Sequence, residues 1–354
     1  MEDISFYRGK TVLVTGHTGF KGSWLCAILS AAGAQVVGYA LEPPTNPSLF
    51  AVAHIEKRIT SIVGDIRDYE KLLAVLEHHK PEIVFHLAAQ PIVLDGYRAP
   101  RYTYETNVMG TVNLLEAVRL TDCVKSLVNV TTDKVYLNAE RDGYGYREDD
   151  PLDGFDPYSN SKSCSDLVTH SYAQSFLAKQ GVSVSVARAG NVIGGGDFAP
   201  NRIIPDCVRA VESNTPLIVR NPYSTRPYQH VLEPLFAYLA IAQRQYEESA
   251  CASSYNVGPD DCDCVTTGDL VGLFSQSWGE GFAWENVSKE ASAPHEATFL
   301  KLDSSKLARA LGWKPKWHIS DAISATVEWS RAYLEGHDIE ACMHAQIERY
   351  LRGN

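Results

Sequence analysis

The sequence predicts an α/β protein built on a doubly wound parallel sheet, with a smaller C-terminal substrate-binding lobe. Three observations carry that prediction. Short β-branched runs alternate with helix-period segments through the first half of the chain. A glycine turn, Gly16-His17-Thr18-Gly19-Phe20-Lys21-Gly22, follows the first such run and opens a helix. After residue 190 the alternation loosens into Gly194-Gly195-Gly196, Asn221-Pro222 and Arg226-Pro227.

Residues 10–15 (KTVLVT) form an unbroken apolar and β-branched run, as a strand buried on both faces requires. Residues 20–32 continue as the helix behind it, and residues 35–41 (QVVGYAL) are a second strand. A third extended segment spans 59–65, and Asp68 is placed to cap a helix over 68–80. Residues 82–89, 126–132 and 183–189 (EIVFHLAA, SLVNVTT, SVSVARA) are further strands, with helices near 101–121 and 159–180. A helix around 232–246 returns the chain to the main sheet, and 250–265 reads as a loop. The expected division is a cofactor-binding domain of residues 1–189 plus roughly 232–258, and a substrate lobe of roughly 190–231 plus 259–354.

The 354 residues are 45% hydrophobic and 21% charged, which suits a water-soluble globular protein with a large core. A formal charge of −11 argues against a nucleic-acid binder, yet a local arginine cluster can still hold an anionic ligand. The eight cysteines show no CxxC pair and read as reduced, mostly buried side chains; no metal site is expected, even at Cys262-Asp263-Cys264. No leader-like segment or run of 18 apolar residues appears, so a cytoplasmic location is expected.

The glycine turn follows a strand and precedes a helix, the context in which backbone N–H groups cradle a dinucleotide pyrophosphate. This makes the sheet Rossmann-type and the cofactor NAD. The second strand ends on apolar Ala40 and Leu41 without an arginine to receive a 2′-phosphate. Glu42 is the first acid there, either a ribose ligand or a surface carboxylate. Lys21 is either a cofactor-side group or a solvated helix residue. Asp65 is either an adenine contact or a strand-end surface acid. Ile66, the small residues Ala88 and Ala89 with Gln90, and Asn107 complete the expected cofactor set.

Tyr158 and Lys162 are four apart and share one helix face. A phenol with a reference pKa near 10 becomes a useful base only beside cations such as an ammonium and a nicotinamide ring. Thr132-Asp133-Lys134 stands at the end of a strand, where Asp133 and Lys134 form either a structural ion pair or an acid and a base.

The chain resembles the extended short-chain dehydrogenase/reductase superfamily, and more closely the CDP-glucose 4,6-dehydratase family. The resemblance rests on VTGHTGFKGSW (14–24), GDIRD (64–68), PEIVFHLAAQP (81–91), TNVMGT (106–111), TTDKVY (131–136), GYRE (145–148), DPYSNSK (156–162), RAGNVIGGGD (188–197), IIPD (203–206), RNP (220–222), RPYQHVLEPL (226–235) and PHEA (294–297). It implies oxidation at C4 of a nucleotide-activated hexose, loss of water across C5–C6 and return of the hydride to C6. By the same resemblance Tyr158, assisted by Thr132, takes the 4-hydroxyl proton, and Asp133 protonates the departing hydroxyl. Lys134 stands where the dTDP-glucose dehydratases carry a glutamate and becomes the candidate base at C5. A sugar pyrophosphate needs cations and donors, for which Arg202, Arg220, Arg226, His230, Asn191 and His295 are the candidates. The chain departs from the family pattern at Leu94, where an arginine is usual, at Asp95-Gly96, and at Phe198 and Tyr228, where tryptophans are usual. The superfamily resemblance implies that the helices near 101–121 and 159–180 pair in a four-helix bundle, giving a homodimer or homotetramer; the alternative is that each only covers the sheet. Rival readings are a nucleotide-sugar 4-epimerase or dehydrogenase of the same fold, and a non-catalytic NAD-binding regulator.

Overall fold

A computed structural model describes residues 4–139, 141, 143–219, 221–286 and 300–353. The chain runs β1 (Thr11–Thr15), α1 (Phe20–Ala31), β2 (Gln35–Ala40), α2 (Leu49–Val52), β3 (Thr60–Val63), α3 (Tyr69–His79) and β4 (Ile83–His86). It continues through α4 (Val93–Arg98), α5 (Pro100–Tyr104), a π-helical turn (Glu105–Met109), α6 (Gly110–Leu120), β5 (Ser126–Thr132), α7 (Pro157–Ser175) and β6 (Ser183–Ala189). The second half contains β7 (Val192–Ile193), α8 (Ile203–Glu212), β8 (Leu217–Val219), β9 (Thr225–Arg226), β10 (Gln229–His230), α9 (Leu232–Glu247) and β11 (Ser254–Val257). It closes with β12 (Val265–Thr266), α10 (Thr267–Trp278), β13 (Trp284–Asn286), α11 (Ser305–Leu311), α12 (Ile319–Leu334) and α13 (Ile339–Arg352).

The main sheet is parallel and seven-stranded, in the order β11-β6-β5-β4-β1-β2-β3. Its central strands are apolar because both faces are covered: Val12, Leu13 and Val14 have no exposed surface. One face packs against α1, α9 and α13, and the other against α3, α6 and α7. The strand order reverses between β1 and β4, which opens a crevice at their carboxyl ends. A second core, formed by α8, β8, α10 and part of α12, holds the smaller lobe together.

Local chemistry sets the helix starts. Asp68 accepts the Lys71 amide at 3.1 Å and opens α3. Asp156 accepts the Tyr158 and Ser159 amides at 2.9 and 3.0 Å, and Pro157 supplies the first helical residue of α7. The capping carboxylate therefore fixes the helix one residue before the candidate catalytic tyrosine.

Two expectations are corrected. The stretch 250–265 is not all loop, because Ser254–Val257 adds a parallel edge strand beside β6. Its sequence, SYNV, lacks the β-branched density of the central strands, since an edge position has one partner. The helix expected near 101–121 is present as α5, the π turn and α6, continuous from Pro100 to Leu120, with α4 ending ahead of Ala99-Pro100. Finally, α13 lies outside the second lobe's core: Ile339, Met343, Ile347 and Tyr350 join the sheet-side core with α1 and α9. Glu233, buried at the start of α9, accepts the Lys316 and Trp317 amides and the Tyr350 hydroxyl, and ties the C-terminal helices to that face.

Arg188 on β6 and Asp166 on α7 form a bidentate ion pair at 2.7 and 3.0 Å, both almost wholly buried, with Tyr136 hydroxyl bonded to the same guanidinium. Removing one partner leaves an uncompensated buried charge, so Asp166→Ala is expected to destabilise the fold by about 3–5 kcal/mol. Replacing both partners with apolar residues of similar volume recovers most of that loss. Urea unfolding of the two variants beside the parent measures both effects.

Candidate active site

The glycine turn sits at the crevice between β1 and β4. Gly16 has φ +77°, and a Cβ there would lie 2.8 Å from the Ala88 nitrogen, so the turn and the end of β4 meet backbone to backbone. A Cβ at Gly22 would lie 2.1 Å from the Gly16 carbonyl oxygen, so α1 approaches its own turn too closely for any side chain. Gly19 begins α1 with no side-chain cap, which leaves the first-turn amides facing the crevice mouth. Thr18 donates to the Leu41 carbonyl at 2.9 Å and joins the turn to the end of β2. The His17 side chain is turned inward: it packs on Gly38 and Phe50, and Nε2 pairs with the Ser61 hydroxyl at 2.8 Å. Its expected cofactor role therefore narrows to its backbone.

Gln90 and Asn107 are also corrected, from cofactor ligands to scaffold. Asn107, on the π turn, accepts the Gln90 amide at 2.8 Å and donates to the Gln90 carbonyl and the Ser161 hydroxyl. The Gln90 side chain bonds Thr103 and the Ile92 amide. Together they lock the end of β4 to α7. Ile66 packs its side chain on Gly110. Asp65 is gripped by Arg67 through the backbone amide and the guanidinium, which holds its carboxyl below the usual range. Glu42 is exposed just past β2, Phe20 and Lys21 open α1, and Ala88 and Ala89 line the approach beside Gly16.

Tyr158 and Lys162 stand at the start of α7. Lys162 is buried and donates to the Val130 carbonyl at 3.0 Å; burial, with the charge of Lys21 second, lowers it to about 7. Lys21 is itself lowered to about 8, by burial first and then by Arg202, while Asp133 opposes the shift. These couplings bring Lys21, Lys162, Arg202 and Asp133 around one space. Burial raises the Tyr158 phenol to about 12, with a hydrogen bond to Thr132 pulling it down and Asp133 pushing it up.

Thr132, the last residue of β5, donates to Asp133 Oδ1 at 2.9 Å. Lys134 Nζ lies 3.3 Å from the same oxygen and 3.3 Å from Asn191 Oδ1. Asp133 is buried, and its Oδ2 has no hydrogen-bond partner among the described residues. A buried carboxylate oxygen without a partner, beside a half-exposed amine, is the arrangement a reacting hydroxyl would complete.

Among the candidate substrate cations, Arg202 is held at 2.9 Å by the Asp197 carboxylate, whose side chain is nearly buried; Arg202 is itself partly exposed, and its charge is felt at Lys21 and Tyr158. Asp197 escaped attention in the sequence because it ends a glycine run that reads as a turn. Arg226 is buried on β9 and donates to the Thr225 carbonyl at 2.9 Å. His230 is corrected: it is wholly buried between Trp24 and Trp317, with Nδ1 accepting the Leu232 amide, and serves packing. Arg220 and His295 lie outside the described residues. Two departures from the family pattern are also packing residues. Phe198 meets Trp329 and Tyr333 edge-on, and Tyr228 is buried with its hydroxyl on Thr267.

With this geometry in place, comparison with known proteins is informative. Residues 13–326 match the family model described as GDP-mannose 4,6 dehydratase. The CDP-glucose 4,6-dehydratase of Salmonella typhimurium is 48% identical over 99% of this chain and 99% of its own length. The chain belongs to the 4,6-dehydratase family. The dTDP-glucose 4,6-dehydratase of Streptomyces griseus is 30% identical, covering 90% of this chain and 93% of its own. Among solved structures, the NAD complex of UDP-glucose 4-epimerase from Thermus thermophilus superposes with a TM-score of 0.78 at 25% identity, covering 91% of this chain and 99% of its own. The NAD complex of dTDP-glucose 4,6-dehydratase from Bacillus anthracis gives 0.75 at 23% identity, over 93% and 99%.

Burial lowers His17 to about 4, and His86 and His230 to about 3. His86 is fixed neutral between the Thr15 and Thr111 hydroxyls. The unfolded chain takes up protons on all three below about pH 6.5, whereas the folded chain does not until about pH 4. Stability present above pH 6.5 is therefore lost as the pH falls through that window, at about 1.4 kcal/mol per unit for each histidine. Urea midpoints measured across the window should fall steeply, and His230→Leu should remove about a third of the slope.

Proposed function

We propose that this chain is an NAD-dependent CDP-glucose 4,6-dehydratase, producing CDP-4-keto-6-deoxyglucose. Its similarity to the Salmonella typhimurium enzyme over almost the whole chain supports the substrate. The observation that carries the reaction is the Asp133–Lys134 pair, joined through Thr132 to Tyr158. An epimerase or simple dehydrogenase needs Tyr158, Lys162 and Thr132, but not a buried acid and an amine beside them.

The residues fit NAD. Gly16 and Gly22 leave a cradle that a Cβ would fill, α1 presents uncapped amides, and no cation stands at the end of β2 to favour a 2′-phosphate. When bound, NAD accepts the hydride from sugar C4 and supplies it at C6. Lys162 is placed to bond the nicotinamide ribose and to stabilise a Tyr158 phenolate.

The protein's own groups move the protons. Tyr158 takes the proton of the 4-hydroxyl as the 4-ketone forms, which acidifies the C5 hydrogen. The Lys134 amine removes that hydrogen, and the Asp133 carboxyl protonates the C6 hydroxyl, which leaves as water. The pair is then an ammonium and a carboxylate. This ion pair differs from the reactive acid and amine by one proton transferred across 3.3 Å. Lys134 returns a proton to C5 once the hydride has reached C6, and the amine is restored. The proton held on Tyr158 then passes through the Thr132 hydroxyl to Asp133, resetting both groups. Arg202, placed by Asp197, and Asn191, beside Lys134, hold the pyrophosphate and sugar.

Exposed Leu120 on α6 and Leu167 on α7, with exposed Met109 just before α6 and Phe176 just after α7, support a homo-oligomer through a four-helix bundle. No helix among the described residues is long and apolar enough to cross a membrane, and the same reading puts the enzyme in the cytoplasm.

Incubation with CDP-, dTDP-, GDP- and UDP-glucose in deuterated water tests the reading. The CDP sugar should react fastest, with deuterium at C5, the C4 hydrogen moved to C6 and no net NADH. A C4 epimer or stoichiometric NADH as product rejects it. Asp133→Asn should slow dehydration by at least about 100-fold. Lys134→Gln should abolish C5 exchange while leaving sugar binding near that of the parent; unchanged exchange would remove Lys134 from the mechanism.

A further inference from the structure

Residues 260–264 lead into β12, which pairs antiparallel with β9 through Val265 with Arg226 and Thr266 with Thr225. Across this strap lies the start of α12, with His318 as the residue before its first turn. Asp263, 5% exposed, projects between the two segments. Its Oδ1 accepts the Ile319 amide at 2.9 Å. Its Oδ2 accepts from His318 Nδ1 at 2.9 Å and from the Cys262 thiol at 3.6 Å. A thiol sulfur, a carboxylate oxygen and an imidazole nitrogen thus all lie within 4.8 Å of one another, with Cys262 and His318 open to solvent.

We propose that Cys262, Asp263 and His318 form a site for a borderline-soft divalent cation of the zinc class, clasping the strap to the start of α12. In a tetrahedral zinc centre, bonds of roughly 2.0 Å to nitrogen and oxygen and 2.3 Å to sulfur put N and O about 3.3 Å apart and S and O about 3.5 Å apart. The observed 2.9 and 3.6 Å stand near those two separations, and the sulfur and the imidazole nitrogen lie within 4.8 Å of each other, so binding draws Cys262 and His318 together. The donor set selects the metal, since thiolate with imidazole favours zinc or cobalt over magnesium or calcium. The positive end of α12 opposes a cation, but two carboxylates already offset it: Asp263 on the Ile319 amide and Asp321 on the His318 amide.

Asp260, Asp261 and Cys264 on the strap and Asp321 at the start of α12 are the other titratable groups nearby, and Lys301 is paired with Asp261 at 2.6 Å. The clasp is separate from the proton-transfer groups. Its structural effect runs through the β12–β9 ladder to Arg226.

The full chain, stripped with a chelator, is titrated with Co²⁺ and then competed with Zn²⁺. One equivalent should bind, with a near-ultraviolet thiolate-to-cobalt band that zinc abolishes, and zinc should raise the thermal midpoint. Cys262→Ser, at an exposed position, should fold normally and lose the band and the zinc-dependent midpoint shift. His318→Ala should weaken binding by at least about tenfold, and Cys264→Ser should leave it unchanged. Absence of the band, or its survival in Cys262→Ser, overturns the proposal.

Discussion

A methyl group at Gly22 would press on the Gly16 carbonyl, and one at Gly16 would press on the backbone after β4. This close approach of turn, helix and strand sets the rest of the site. It draws the carboxyl ends of β1 and β4 together, so that the residues after β4 can be gripped by Asn107 and carried to Ser161 on α7. The helix so held bears Tyr158 and Lys162. The cofactor cradle and the catalytic helix are therefore positioned by one continuous set of backbone contacts and buried hydrogen bonds.

Within that frame, burial acts in opposite directions on the two members of the Tyr–Lys pair. It raises the phenol and lowers the ammonium, so protein desolvation favours the neutral form of both. Thr132 is the main group countering this at Tyr158, and it also donates to Asp133. A single hydroxyl thus connects Tyr158 to Asp133.

Much of this was legible in the sequence. The central strands announced themselves by unbroken β-branched runs, and 126–132 and 183–189 coincide with β5 and β6. Asp68 caps the helix its sequence position implied. The edge strand β11 was not legible, because a strand with one neighbour needs less apolar surface. The inward turn of His17 and the burial of His230 were hidden for a different reason. A histidine in a motif has the same letter whether it faces a ligand or packs between Trp24 and Trp317, and only tertiary contacts separate the two. Gln90 and Asn107 likewise have side chains suited to ligand binding, yet their donors and acceptors meet each other.

The grip of Glu233 on Trp317 and Tyr350 has a consequence for how the molecule is made. The face of α1, composed by residue 31, is covered by α13, which begins at residue 339. During synthesis α1 packs on the sheet and α9 long before α13 exists, and the part of its apolar face that α13 covers stays open until residue 350 has emerged.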